Sequence, residues 1–357
     1  MILFRYNPLL HRLALLTAAA TFPLIFMGGL VTSHGAGMSV PDWPNSYGYN
    51  MWLYPPSQWW NGGGIFYEHS HRLMGTVVGF LSILLAAAAW KMERRVWVRR
   101  LAYFVLASVI IQGVIGGMRV RLVNKDIAIV HGVVAQLFFC ITAFAAVATS
   151  RWWNMAPNLA WSEDYVAGRK LIRIAAITFA ALVGQLIIAA VMRHAGAGLA
   201  IPDVPLSYGH MIPPTTESGL AAANSHRAFD LNLDPVTLGQ IWLQFAHRIG
   251  AMIVTACITW LAWIVFRKHR GQTAIVVPIT VLCALLLTQI TLGVMTVVMR
   301  KPADIASAHV ACGALLLLTC FTVAARAARL YSRVGRKQAP AMAVSVRTIG
   351  SPEFLIA

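Results

Sequence analysis

The chain has 357 residues, of which 58% are hydrophobic and only 11% are charged, and its formal net charge is +17. A soluble domain of ordinary composition carries about 25% charged residues, so this composition excludes a water-soluble protein. The lysines and arginines fall in short clusters between apolar runs. This distribution excludes the continuous basic face of a nucleic-acid-binding protein and is typical of the loops of a membrane protein.

Eight apolar runs follow one another along the chain, and each is long enough to cross a hydrocarbon core, which takes about 20 helical residues. They lie at residues 12–31, 66–90, 98–118, 127–149, 171–192, 239–266, 273–298 and 303–329. The basic clusters between them fall on one side of the membrane, so the positive-inside rule predicts that both termini are cytoplasmic. The two long loops, at residues 32–65 and 193–238, then face outward.

An internal duplication relates the two outer loops. GAGMSVPDWPNSYG, starting at Gly35, aligns without gaps to GAGLAIPDVPLSYG, starting at Gly196, with nine identities in fourteen positions. The sequence therefore predicts an all-α membrane protein whose eight transmembrane helices form two pseudo-symmetric four-helix bundles. The first bundle is expected at residues 1–150 and the second at 171–330. A cytoplasmic linker is expected at 151–170 and a loose basic cytoplasmic tail at 331–357.

Four histidines within the spans repeat with the duplication, since His71 and His131 in the first half match His247 and His309 in the second. In each half the two histidines are expected at one depth on facing helices, an arrangement that suits the two axial positions of a haem iron. Polar residues within spans are functional candidates by default, although a single histidine can also serve to hydrogen-bond neighbouring helices. Zinc is disfavoured, because two histidines without a cysteine or carboxylate leave a tetrahedral site half filled.

Charged residues flank the first histidine of each pair. Glu68 precedes His71 by three residues, so both project from one helix face, whereas Gln244 takes this place in the second half. The first half thus carries a carboxylate able to relay protons or to stabilise developing positive charge; the alternative is an interaction with the helix dipole. Arg72 and Arg248 follow the histidines directly and are candidate partners of haem propionates, the alternative being snorkelling to lipid headgroups.

Four features occur together in this chain: the PDWP outer loop, the EHSHR motif at residues 68–72, the four-plus-four duplication and the paired histidines. In this combination the chain resembles the haem A synthase family, which has mitochondrial and bacterial members, over residues 10–330. The resemblance implies an oxidoreductase, a haem O monooxygenase of the membrane, that serves cytochrome oxidase biogenesis. It would oxidise the C8 methyl of haem O to a formyl group by two successive hydroxylations, through a geminal diol that loses water.

The resemblance also implies roles for the residues that match the family's motifs. His71 and His131 would serve the substrate haem O, with Glu68 as the acidic catalytic residue and haem A as the product. His247 and His309 would ligate a resident haem b, whose implied role is electron delivery. The implied location is the inner cell membrane of a bacterial-type cell.

The implied co-substrates are molecular oxygen and electrons from an unidentified donor, and nucleic acid is not among the partners. Candidate protein partners are haem O synthase, cytochrome oxidase assembly proteins and a second copy of this chain. The chain departs from those bacterial members that carry a cysteine pair around the PDWP motif, because neither of its outer loops contains cysteine. Thiol or disulfide chemistry at the outer face is therefore not available to it.

Two other functions share these features. A di-haem b-type electron-transfer cytochrome, linked to quinone, would have the same spans and histidines. Ligation by two histidines leaves no open iron position for oxygen, which favours this alternative unless one ligand departs during turnover. A haem carrier or oxidase-assembly factor would move haem without oxidising it, but the parallel repeat does not supply the inverted repeat common in alternating-access transporters.

Overall fold

A computed structural model describes residues 6–159 and 165–331. Within these ranges the chain forms ten α-helices. They are α1 (Pro8–Ser33), α2 (Gly63–Met92), α3 (Val96–Leu122), α4 (Lys125–Thr149), α5 (Arg151–Met155), α6 (Tyr165–His194), α7 (Glu217–Phe229), α8 (Leu238–Lys268), α9 (Thr273–Val298) and α10 (Ala303–Tyr331).

Eight of these helices, all except α5 and α7, are long and apolar enough to cross a membrane. Each predicted span lies inside one of them, so the prediction of an all-α, multi-pass membrane protein is confirmed for the described part of the chain. The predicted linker contains α5, and its residues 160–164 lie outside the described ranges. The predicted basic tail also lies outside them, apart from its first residue, Tyr331.

Helical structure throughout the spans follows from the bilayer, where backbone N–H and C=O groups have no water to bind. Polar side chains mark where several helices begin. Asn7 accepts the amide of Leu10 at the start of α1, and Asn124 accepts two amides at the start of α4. Thr237 and Gln240 form a capping box at the start of α8. These caps satisfy amides that have no partner within the helix.

The eight long helices are arranged as two rings of four. In the first ring α1 packs on α2, α2 on α3, α3 on α4 and α4 on α1; in the second, α6, α8, α9 and α10 pack in the same cyclic order. Between the rings α1 contacts α10, α4 contacts α6, and α4 contacts α10. This contact pattern is reciprocal, as a twofold relation between the halves requires, and it fits the predicted duplication.

The two outer loops fold alike. Asp42 accepts the amides of Tyr47 and Gly48, both at 2.8 Å, and Asp203 accepts the two corresponding amides at 2.8 and 2.9 Å. Burial by itself would raise the pKa of Asp42, but the hydrogen bonds from Gly48 and Tyr47 and the charge of Arg72 lower it below its ordinary value. Both aspartates are therefore turn residues, and Asp42 is a carboxylate at neutral pH.

Helix α10 is the central element of the fold. It packs on α9, α6, α1 and α4, and 44% of its most apolar 18-residue stretch is buried, against 22–33% in the other spans. Its last described residue, Tyr331, is fully buried, with its ring against Gly168 of α6. A Cβ at Gly168 would overlap this ring, so the absence of a side chain there sets the distance between α6 and α10.

Gly168→Ala is expected to destabilise the protein by about 1–3 kcal/mol, because the added methyl forces a close-packed ring to move. Gly184→Ala on the same helix is the matched control, since a Cβ there meets nothing within 4 Å and alanine favours helix. Thermal unfolding of the detergent-solubilised variants checks this. Equal melting temperatures for the two variants would contradict the packing described for Gly168.

Candidate functional site

The predicted histidine pairs lie together in the structure. The ring centroids of His71 in α2 and His131 in α4 are 6.4 Å apart, with planes inclined at 82°. His247 in α8 and His309 in α10 are 6.5 Å apart, with planes inclined at 69°. The two halves therefore present the same pair of imidazoles between the same two helices of each bundle.

This spacing fits one metal ion held between two imidazoles. A metal–imidazole bond is about 2 Å long, so two rings that share one metal have centroids roughly 6 Å apart. Among the described residues no group of three or more histidines, cysteines or carboxylates could hold a metal ion. Two opposed imidazoles suit the axial positions of haem; iron ligation by these pairs stays a prediction.

A cavity of about 450 Å³ lies beside the first histidine pair. Helices α1, α2, α3 and α4 contribute most of its lining, and α6 closes one side. Gly75, Gly113 and Gly132 line it, and a Cβ on any of them would meet nothing within 4 Å. The glycines thus leave open space next to His71 and His131, as a flat macrocycle between helices requires.

The outer loop of the first half covers the outer end of this cavity. Trp43 and Pro44 of the PDWP motif line the cavity, and the Trp43 indole lies where a Cβ of Gly117 would be. Ser46 and His69 hold the loop from its other side, with Oγ and Nδ1 3.1 Å apart and His69 only 1% exposed. His69 is therefore packed into the loop and not directed at the histidine pair.

Glu68 joins the outer loop to α2. The Val40 amide donates to Glu68 Oε2 at 2.9 Å, and Arg72 Nη2 donates to Oε1 at 3.0 Å. In the second half, Gln244 Oε1 accepts the corresponding Ile201 amide at 2.5 Å, while its Nε2 donates to the Gly198 carbonyl at 3.0 Å. Glu68 and Gln244 are each 3% exposed. The side chain at this position therefore contacts the outer loop in both halves. Only in the first half is it a carboxylate, and this carboxylate also lines the cavity.

The two arginines that follow the histidines also bind the loops. Arg72 donates to the carbonyls of Asp42 (2.6 Å), Asn45 (3.0 Å) and Val40 (2.6 Å), in addition to Glu68. Arg248 makes the corresponding bonds to three loop carbonyls in the second half, at 2.7–3.2 Å. Snorkelling to headgroups therefore does not describe these side chains. Their predicted pairing with propionates stays a prediction.

Two glutamines that we did not predict lie against the second histidine of each pair. Gln112 in α3 donates to the His131 carbonyl at 3.1 Å, and Gln289 Nε2 in α9 is 3.3 Å from His309 Nε2. The sequence does carry a signal for them, because a glutamine, then glycine four residues later and methionine six residues later, occurs at Gln112 and again at Gln289. Iron ligation through His309 Nε2 would require Gln289 to release that nitrogen.

A third glutamine, Gln185 in α6, distinguishes the halves. Its Nε2 donates to the His247 carbonyl at 2.8 Å and lies 3.0 Å from His247 Nδ1. The gapless alignment of the outer loops, extended back into the preceding helices, places Leu24 at this position in the first half. No side-chain amide from α1 therefore holds His71 as Gln185 holds His247.

Two further arginines, Arg119 of α3 and Arg193 of α6, line the outer end of the first cavity. From the sequence, Arg119 is a candidate partner of haem propionates, together with Arg121, Arg300 and Lys301, because all four lie at the outer ends of apolar spans. Arg193 was not predicted, because it belongs to the second half and reaches the first across the interface. Its Nη2 donates to the Gly29 carbonyl and to Ser33 Oγ of α1, both at 2.7 Å.

Comparison with known proteins gives a consistent result. The sequence model of the COX15-CtaA family, described as cytochrome oxidase assembly protein, matches residues 63–321. The chain is also similar to proteins named haem A synthase. That of Shewanella oneidensis is 24% identical over 325 residues, 86% of this chain and 93% of the relative. That of Nitrosomonas eutropha is 25% identical over 332 residues, 85% and 89% of the two chains.

Glu68→Leu is expected to destabilise the protein by about 1–3 kcal/mol, because the buried Val40 amide and Arg72 lose their acceptor. Glu68→Gln should be destabilised less than Glu68→Leu, since Gln244 shows that an amide oxygen can accept the loop amide and only the ion pair with Arg72 is lost. Thermal unfolding in detergent measures both. A Glu68→Leu variant as stable as Glu68→Gln would show that this contact does not hold the loop.

Proposed function

The chain belongs to the COX15-CtaA family of cytochrome oxidase assembly proteins, and on this basis we propose that it is a haem A synthase. As such it is an integral membrane oxidoreductase that converts haem O to haem A for cytochrome oxidase biogenesis. The observation that carries the proposal is the first-half cavity, in which an imidazole pair and a buried carboxylate face one open space. Two imidazoles can hold the iron of a haem while its edge lies beside that carboxylate.

In the first half, His71 and His131 bind the iron of the substrate haem O. Oxidation of the C8 methyl to a formyl group consumes molecular oxygen and electrons from a donor, in two hydroxylations. Glu68 accepts one hydrogen bond on each oxygen, so each oxygen keeps a further lone pair available. Through these it can orient a water molecule or take up a proton at the edge of the substrate.

In the second half, His247 and His309 hold haem b as a resident cofactor. Haem b supplies one-electron transfer when bound. At the position that corresponds to Glu68, Gln244 contacts the loop through a neutral amide. The second half therefore has no carboxylate equivalent to Glu68 near His247 and His309. Gln185 fixes the position of the His247 ring, which suits a ligand that stays bound, whereas the first half has Leu24 there.

The orientation in the membrane follows from the same assignment. The histidine pairs and the outer loops lie at the ends of the spans opposite the basic clusters, which supports an orientation with both termini in the cytoplasm of a bacterial-type cell and the protein in its inner membrane. Residues 1–150 form the catalytic half and residues 171–330 the haem b half. Haem O synthase, which supplies the substrate, and cytochrome oxidase assembly proteins, which take the product, are the expected protein partners, together with a second copy of this chain.

Glu68→Gln is expected to abolish haem A formation in a protein that still folds, because the amide oxygen can keep the Val40 contact while the carboxylate charge and its ion pair with Arg72 are lost. Haem extracted from membranes of cells that also express haem O synthase is separated by chromatography and quantified. Gln244→Glu is the matched control in the second half and should still yield haem A. Equal haem A from Glu68→Gln and the unmodified chain would exclude the carboxylate from the chemistry.

Alanine substitution of the paired histidines should have different effects in the two halves. His71→Ala and His131→Ala are expected to stop haem A formation while the purified protein retains haem b. His247→Ala and His309→Ala are expected to deplete haem b, measured from the absorption of its pyridine complex. Unchanged haem b in the latter two variants would contradict the assignment of the halves. Haem b in both halves, with haem O never oxidised, would instead identify a di-haem electron-transfer cytochrome.

A further inference from the structure

The outer end of the first-half cavity carries more positive than negative charge. Three guanidinium groups line it, from Arg72 in α2, Arg119 in α3 and Arg193 in α6. Glu68 is the one carboxylate among the residues that line this cavity, and its ion pair is with Arg72. Arg119 and Arg193 form no ion pair with any described residue. A guanidinium group inside a membrane domain without an anionic partner is energetically costly.

The three arginines differ in what they already bind. Arg72 uses both of its Nη groups on loop carbonyls and on Glu68. The hydrogen bonds of Arg119 and Arg193 to described residues all go through Nη2, to the Gly37 carbonyl for Arg119 and to α1 for Arg193. Nε and Nη1 of each arginine donate to no described residue, so each side chain keeps N–H groups that can donate a charge-assisted hydrogen bond to a carboxylate.

Neither arginine belongs to the repeated framework. The gapless alignment of the outer loops places Thr32 opposite Arg193, and the repeat around Gln112 and Gln289 places Thr296 opposite Arg119. Both threonines donate their hydroxyl groups to carbonyls of their own helices. The equivalent positions of the repeat are occupied by threonine, so the repeated fold does not require arginine there. We therefore look for the role of the two arginines in the first-half cavity.

We propose that Arg119 and Arg193 bind the two propionate carboxylates of the haem that enters the first-half cavity. This rests on the proposed function, which supplies haem O as the ligand. The two carboxylates of haem O balance the two guanidinium groups of this cavity that have no anionic partner among the described residues. Because Arg193 comes from α6, the substrate site is built by both halves, and the isolated residues 1–150 would lack one of its two anion contacts. Arg72 is left to hold the outer loop.

The test compares haem O with its dimethyl ester, which has the same macrocycle and iron but no propionate charge. The full-length protein in detergent is titrated with each, and binding at the first-half site is followed from the change in Soret absorbance. The unmodified protein is expected to bind the free acid at least tenfold more tightly than the ester, as a charge-assisted hydrogen bond to each carboxylate predicts. Equal affinities would overturn the proposal, without the need for any variant.

Arg119→Met and Arg193→Met should each weaken binding of the free acid about tenfold and leave binding of the ester unchanged. The double variant should lose the preference for the acid. Arg121→Met, an exposed arginine on α3 that does not line the cavity, is the control and should keep it. A double variant that still prefers the free acid would overturn the proposal. Haem A formation is measured separately, so failure of the catalytic assignment and failure of this one can be told apart.

Discussion

The fold depends on how two long outer loops are held against the ends of the spans. Backbone amides and carbonyls near the hydrocarbon region need hydrogen-bond partners. For the outer loops these partners are side chains of α2 and α8 that lie next to a histidine in the sequence. Glu68 and Arg72 bind the first loop, and Gln244 and Arg248 bind the second. The loop therefore lies over the cavity in a fixed position, and the same side chains fix the rotation of the helix that presents His71 or His247.

The two histidine sites differ chemically because the two halves carry different residues at equivalent positions. An amide is sufficient to accept the loop amide, as Gln244 shows, so this contact does not itself require the carboxylate of Glu68. Gln185 holds His247, whereas Leu24 leaves the first half without such an amide. Arg193 adds a cation to the first cavity from across the interface. On the proposed function, these differences allow one half of a duplicated fold to hold a cofactor and the other to bind a substrate.

Much of this was predictable from sequence because it depends on local periodicity or on repetition. The eight spans follow from apolar runs, and the histidine pairs follow from matching the halves. The roles of Arg72 and Arg248 could not be predicted, because the carbonyls that they bind are 27 to 47 residues away along the chain and only the folded loop brings them near. Arg193 was missed for a related reason, since its place depends on the packing of α6 against α1. The repeated pattern around Gln112 and Gln289 was visible and could have identified both residues.

We propose that the first half of the chain oxidises the C8 methyl of haem O with molecular oxygen, and that haem b in the second half delivers electrons for this reaction. The most direct measurement is a conversion assay on the purified unmodified protein, loaded with haem O and supplied with oxygen and a chemical reductant. The haem is then extracted and analysed by chromatography and mass spectrometry. Our account predicts that haem O is converted to haem A, with one oxygen-18 atom when labelled oxygen is used and exchange with water is controlled. Haem O recovered unchanged from protein that holds haem b and accepts electrons would contradict it.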